Sequence, residues 1–262
     1  MESAANTLPS AGLVSPGGNG TQVVFPPDGR VPIDPTTLFP FQCIGELTVQ
    51  FPNGAQYTGT GTLIDGFHVL TCAHLLFSED DGGLAEQVTF APGRNEGADN
   101  PYPYGQIAMA QGGIAIPEGY QAHPAPIPGE LVPDVTQYLY DYGVVTLANE
   151  VYFDQYPRPY WADDEALEPT TCYITGYPLD KPAGTMWQGE GDVQPEDTQQ
   201  FLFYQISTFD GQSGSAVMGE FPGVAFPGIV GIHVGGTLDG VLDTNFAVRL
   251  YPEVIDVIND WL

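Results

Sequence analysis

Val69-Leu70-Thr71-Cys72-Ala73-His74 is the stretch on which the reading of this chain turns. It is a run of apolar and β-branched residues that stops at an imidazole, the composition of a buried strand delivering a polar group to a loop. Outward from it, runs of the same kind recur at 42–51, 57–64, 68–72, 86–90, 143–148, 172–176, 201–206, 215–218, 228–234 and 245–248, with turn residues between them. That spacing predicts an all-β sandwich or a pair of antiparallel barrels. The 33 glycines and 25 prolines are scattered without a period, which suits a turn-rich β protein and excludes a helical bundle. The last stretch differs. Tyr251, Val254, Ile255, Val257, Ile258, Trp261 and Leu262 recur at helical spacing behind Pro252, so one amphipathic C-terminal helix is expected on the β body. At 262 residues the chain is long enough for one double-barrel domain or two small ones.

Charge narrows the partners. Lys and Arg number 5 against 33 Asp and Glu, a net charge of −28. Binding a phosphate backbone or an anionic membrane needs a basic patch, and five scattered cations cannot build one, so neither nucleic acid nor membrane is an expected partner. No apolar run approaches the ~18 residues of a membrane span. The start, Met1-Glu2-Ser3-Ala4-Ala5, has neither the basic nor the apolar part of a signal peptide. Residues 1–22, small and polar up to Gly17-Gly18-Asn19-Gly20, read as an N-terminal extension. Three cysteines, Cys43, Cys72 and Cys172, match no zinc spacing and allow at most one disulfide. The acid clusters at Glu79-Asp80-Asp81, Asp163-Asp164-Glu165 and Glu190 to Asp192 lack the spacing of a calcium loop and read as solvated surface. Neither a metal nor a cofactor is expected.

The chemistry concentrates in three places. His74 ends a buried strand, Asp141 sits at the entry of the strand that begins with Gly143, and Ser213 lies in the tight turn Gly211-Gln212-Ser213-Gly214-Ser215. A serine hydroxyl becomes a nucleophile when a neutral imidazole takes its proton, and that imidazole needs a carboxylate to fix its tautomer and stabilise its cation. Glycines beside the serine let the N–H groups of Gly211 and Ser213 point at one place, an oxyanion hole. The order His, Asp, Ser is that of the chymotrypsin arrangement, not of subtilisin or the α/β-hydrolases.

From about Val23 onwards the sequence also resembles the glutamyl endopeptidases, a branch of the chymotrypsin-like serine proteases. The likeness is carried by Asp28-Gly29-Arg30, Phe39-Pro40-Phe41, Leu70 to His74, Phe90 to Asn95, Tyr102-Pro103-Tyr104-Gly105, Tyr140 to Gly143, Thr175-Gly176-Tyr177-Pro178, Asp180-Lys181-Pro182, Gly184-Thr185-Met186-Trp187, Gly211 to Ser215 and Gly231-Ile232-His233. The resemblance implies two six-stranded antiparallel barrels, with His74 as general base, Asp141 as its orienting carboxylate and Ser213 as nucleophile at their junction. The first barrel and its His and Asp would occupy 23–150; the second, with Ser213, the pocket and the helix, would occupy 151–262.

It further implies a secreted, monomeric endopeptidase acting on protein or peptide substrates and cutting after glutamate, less readily after aspartate. A substrate carboxylate entering a protein of this charge needs compensating donors. By resemblance these are His233, Thr208 and the α-amino group of a chain starting at Val23, with Val234, Gly235 and Gly236 pairing with the substrate backbone. Cleavage before Val23 would free that ammonium, and the uncut chain is expected to be poorly active. A trypsin-fold protease of apolar or broad preference is the second reading, and a protease-fold binding protein without catalysis the third. The surrounding negative charge is expected to raise the pKa of His74, placing activity at neutral to mildly alkaline pH, with salt moving the limb down. Gln212 stands before the serine, where digestive relatives carry an aspartate. His68 and His123 read as surface and loop residues, and the tyrosines from Tyr138 to Tyr160 as packing.

Overall fold

The protein is described here by a computed structural model covering residues 13–14, 22–123, 136–195, 200–237 and 244–262. Apart from Gln22 and the backbone of Leu13–Val14, the expected extension over 1–22 lies outside the described residues.

Six strands, β1 Ile44–Gln50, β2 Gln56–Leu63, β3 His68–Thr71, β4 Gln87–Pro92, β5 Ile107–Ala115 and β6 Gly143–Leu147, close into one antiparallel barrel in the order β6-β3-β2-β1-β4-β5. The period of two explains β1, in which Leu47 and Val49 turn into the barrel while Thr48 is exposed. Val69 and Leu70 on β3 are buried, each worth about 1.5–3 kcal/mol.

The second sheet is built on seven strands, β7 Cys172–Gly176, β8 Trp187–Gly191, β9 Val193–Pro195, β10 Phe201–Tyr204, β11 Ala216–Gly219, β12 Gly228–Thr237 and β13 Thr244–Arg249, and three two-residue strands join it, Val31–Pro32 on β8 and Leu13–Val14 and Arg158–Pro159 on β12. The seven run β9-β10-β13-β12-β11-β7-β8. β8 and β9 are one segment interrupted at Asp192. Its first half pairs with β7, Trp187 opposite Gly176, and its second half with β10, Val193 opposite Tyr204. The sheet therefore curls until this bent segment meets both of its edges, and six segments make the second barrel. The expected all-β, two-barrel architecture is present. Strands 107–115 and 187–195 go beyond the sequence reading.

Packing joins the two halves. Buried Val69, Phe90 and Val145 of the first barrel share one apolar cluster with Ile232, Val234 and Phe246 of the second. Tyr138 meets Phe246 edge-on, ring centres 5.4 Å apart. The C-terminal helix, Pro252–Asn259, opens with its proline in the first turn and buries Val254 and Ile258. Trp261 just beyond it lies 5.8 Å from the Tyr142 ring. Tyr138 and Tyr142 are packing residues as expected, whereas Tyr152 is exposed. Cys43, Cys72 and Cys172 are all buried free thiols. No helix among the described residues is long and apolar enough to cross a membrane.

Candidate active site

Strand register brings the first two groups together. β6 pairs antiparallel with β3, Gly143 opposite Thr71. Asp141, two residues before Gly143, therefore reaches His74, three residues past Thr71 on a single 3-10 turn, Ala73–Leu75. The Asp141 Oδ2 lies 2.8 Å from His74 Nδ1, and Oδ1 accepts from the His74 backbone N–H at 2.9 Å. Both carboxylate oxygens are committed and the carboxylate is buried, so the imidazole is held in orientation as well as in tautomer. Burial alone would push the His74 pKa down. The Asp141 carboxylate and the Cys72 sulfur reverse this and hold the imidazole well above its ordinary value. The cause is thus a neighbour 2.8 Å away, rather than the diffuse charge of −28 invoked from composition.

Ser213 rides on a turn stapled to the other barrel. Gln212 N–H donates to Phe209 and Ser215 N–H to Gln212, closing two successive tight turns. Gly211 has φ +93° and Gly214 φ +82°, a region that side chains other than glycine's avoid. A Cβ on Gly214 would lie 2.1 Å from Thr71 Oγ1 and 2.3 Å from the Thr60 carbonyl oxygen. Thr60, on β2, donates its backbone N–H to the Ser213 carbonyl at 2.9 Å and its hydroxyl to the Gly211 carbonyl at 2.8 Å. Thr71 Oγ1 donates to Thr60 in turn. The serine turn is thereby fixed against the barrel that carries His74. His74, Gly211 and Ser213 line the same cleft, about 450 Å³ in volume, between the two sheets.

The segment before this turn is held by Arg30, whose guanidinium is buried. It donates to Asp28, to Asp180 and, at 3.3 Å, to the Gln212 Oε1, which also accepts the Phe209 N–H. A neutral amide at 212 suits this arrangement because the two aspartates already balance the cation. The lowering of the Asp28 carboxyl far below the usual carboxylate range, chiefly through Arg30, follows from the same contacts.

The N-terminal segment enters the cleft. Gln22 is buried and donates Nε2–H to Ser213 Oγ at 3.0 Å. Val23 is clamped by Asn245, whose Oδ1 accepts the Val23 N–H and whose Nδ2 donates to the Val23 carbonyl, both at 2.8 Å. The Thr208 N–H donates to that carbonyl at 3.1 Å. Leu13–Val14 pairs antiparallel with Thr237 and Gly236 of β12.

His233 lies on β12, is fully buried, and has the Tyr204 hydroxyl 2.6 Å from its Nδ1. Burial pushes its pKa down to about 3, outweighing the Phe246 carbonyl that favours a proton on the ring, so this imidazole is neutral at ordinary pH. Its Nε2, the Thr208 hydroxyl and the Gln22 Oε1 are buried and have no hydrogen-bond partner among the described residues. After His233 the register of β12 against β13 shifts, and Val234, Gly235 and Gly236 follow.

The structure therefore brings His74 to Asp141, sets Ser213 and Gly211 in the same cleft, and gathers Val23, Thr208 and Asn245 beside it. Tyr204, Asn245, Thr60 and Gln22 carry no signal in the sequence, because nothing local distinguishes a buried tyrosine or threonine that bonds across a barrel. His68 pairs with Asp65, Nδ1 to Oδ2 2.8 Å, and His123 stacks on Tyr140; neither enters the cleft. Glu190, in the cluster 190–192, is exposed on β8. Cys72, His74 and Asp141 place one possible metal-ligand atom each within 4.8 Å of one another.

Residues 59–220 match the family model for the trypsin-like peptidase domain. The chain is 28% identical over 242 residues to a glutamyl endopeptidase of Bacillus licheniformis, a match covering 89% of this chain and 67% of that protein. It is 29% identical over 239 residues to a Bacillus subtilis protein named extracellular metalloprotease, and 41% identical over 79 residues to a glutamyl endopeptidase of Staphylococcus aureus. The solved structure of a Glu endopeptidase in complex with MPD superposes with a TM-score of 0.71 at 26% identity, over 91% of this chain and 98% of that one. The protease Anisep from Arthrobacter nicotinovorans, 14% identical with a TM-score of 0.63, shares the fold. With the family match spanning more than half of the chain, the protein belongs to the trypsin-like peptidase family as a serine protease, and within it resembles the glutamyl endopeptidases.

Proposed function

We propose that the protein is an endopeptidase that cuts after glutamate, and less readily after aspartate, through Ser213, His74 and Asp141. Ser213 Oγ attacks the substrate carbonyl and passes its proton to His74 Nε2, while Asp141 stabilises the imidazolium at Nδ1. The N–H groups of Gly211 and Ser213 receive the oxyanion. His74 then protonates the departing amine, and a water molecule releases the acyl group by the reverse sequence.

The observation that supports the glutamate preference is a pair of buried groups with no partner among the described residues, His233 Nε2 and Thr208 Oγ1. Buried polar atoms without partners are costly, and both are suited to donate to a carboxylate. We take the tautomer in which Nδ1 accepts from the Tyr204 hydroxyl, 2.6 Å away, so that the single proton of the neutral ring is on Nε2. The third donor is the α-ammonium of a chain cut before Val23, whose amide already sits 2.8 Å from Asn245 Oδ1. The chain Val234, Gly235 and Gly236 offers the edge for the substrate backbone. Aspartate, one methylene shorter, reaches these donors less well, a loss on the order of 1–3 kcal/mol.

In the uncut chain Gln22 engages Ser213 and Leu13–Val14 uses part of the substrate edge, which supports low activity before processing. Residues 1–22 are accordingly the removable extension, 23–150 and 151–262 the two barrel halves, and the processed protein a secreted monomer acting on proteins or peptides.

The test is a peptide library and matched glutamyl, aspartyl, glutaminyl and phenylalanyl substrates, assayed on protein cut before Val23. Glutamate is expected to dominate at the acyl position. Equal or faster cutting after phenylalanine would replace this reading with a protease of broad specificity, and failure of a serine-directed phosphonate to label Ser213 would leave only a binding protein.

A further inference from the structure

We propose that Cys72 and His74 form a site for a soft divalent cation, zinc or cadmium, that caps the imidazole and arrests the protease. The three thiols of the chain differ in what they face. Cys43 Sγ looks at the Gln155 carbonyl at 3.6 Å, whereas Cys72 Sγ lies 3.4 Å from His74 Nε2. A tetrahedral zinc ion with a sulfur ligand at about 2.3 Å and a nitrogen ligand at about 2.0 Å separates the two by roughly 3.5 Å. The sulfur and nitrogen already stand at that spacing, so a cation can bridge them without remodelling the strand end.

The remaining features of a metal site are also present. Asp141 Oδ2, 2.8 Å from Nδ1, keeps that nitrogen's proton, so that in the neutral ring the lone pair is on Nε2, facing Cys72 Sγ, the carboxylate–histidine–metal arrangement that orients imidazole ligands. His74 lines the cleft, so water can complete the coordination from the open side. A chain of net charge −28 concentrates cations around itself. On binding, the cation forms bonds to Cys72 Sγ and His74 Nε2; the thiol proton leaves to solvent, joined below the raised His74 pKa by the Nε2 proton of the imidazolium, and nothing is oxidised or reduced. With its lone pair engaged, Nε2 can no longer take the Ser213 proton. Cation binding itself is independent of any glutamate preference.

The full chain should be titrated with cadmium while following the thiolate-to-metal absorption in the near ultraviolet, and with zinc by calorimetry. One equivalent is expected in the wild-type protein, unchanged in Cys43→Ser and Cys172→Ser, and lost in Cys72→Ser. Asp141→Asn is expected to weaken binding by about 10–100-fold. In protein cut before Val23, zinc should inhibit reversibly with a chelator, and Cys72→Ser should lose that inhibition. No absorption in the wild type, or the same absorption or inhibition in Cys72→Ser, would overturn the site. If Cys72→Ser does not fold by circular dichroism, Cys72→Ala serves the same comparison.

Discussion

Tyr204→Phe isolates the device by which a neutral histidine would recognise a carboxylate. The hydroxyl sits 2.6 Å from His233 Nδ1, with both residues buried. Removing it leaves Nδ1 without the Tyr204 hydroxyl, a cost to folding of about 1–3 kcal/mol. It also frees the ring proton to move to Nδ1, which turns Nε2 from a donor into an acceptor facing the substrate carboxylate. A hydrogen bond to a charged group is worth about 1.5–3 kcal/mol, so kcat/KM for glutamyl substrates should fall by roughly 10–100-fold. A glutaminyl substrate can offer either an acceptor or a donor and should lose much less. The assay is kcat/KM on matched glutamyl and glutaminyl peptides with protein cut before Val23, alongside nitrogen NMR of the His233 tautomer. An unchanged Glu/Gln ratio in a destabilised variant would refute the reasoning and reduce Tyr204 to a packing residue. So would a wild-type ring carrying its proton on Nδ1.

Cleavage before Val23 should raise activity toward glutamyl peptides over the intact chain, and Gln22→Ala in the intact chain should increase phosphonate labelling of Ser213 by freeing its hydroxyl; equal labelling would show that Gln22 does not block it. Because Asp141 holds the His74 pKa well above its ordinary value, activity should rise along a limb lying above about pH 6.5, and the limb should move little with salt because the pair is buried. The stability that the pair contributes runs the opposite way, fully present below about pH 6.5 and lost as pH rises through the raised folded value, which thermal unfolding across pH can follow. Gly214→Ala forces a Cβ against Thr71 Oγ1 and the Thr60 carbonyl in a left-handed conformation; about 1–2 kcal/mol of backbone strain plus the disrupted staple should lower both the melting temperature and kcat, and a variant of unchanged activity would contradict the account of the serine turn.

Much of the site is legible because its signals are local. The glycines around Ser213, the imidazole ending Val69 to Ala73 and the aspartate before Gly143 are each written within a few residues. Two strands lack such a signal. β5, Ile107–Ala115, is rich in alanine and glycine, half exposed, and paired with β6 through a register shift between Val145 and Leu147. The β8 and β9 segment, with its glycines and acids, resembles a solvated loop and is strand only because both β7 and β10 present edges to it.

The alternating runs, the turn chemistry and the inventory of reactive groups are written in the order of residues alone, since they follow from periodicity and backbone preference over a few positions. Which of them meet is set by the folded barrels. Gly143 opposite Thr71 sets Asp141 on His74 across 67 positions, Thr60 anchors a serine turn 151 positions away through Gly211, and Gln22 reaches Ser213 across 191. Such pairings depend on register and on the closure of whole barrels, where a slip of one residue would turn every side chain to the opposite face.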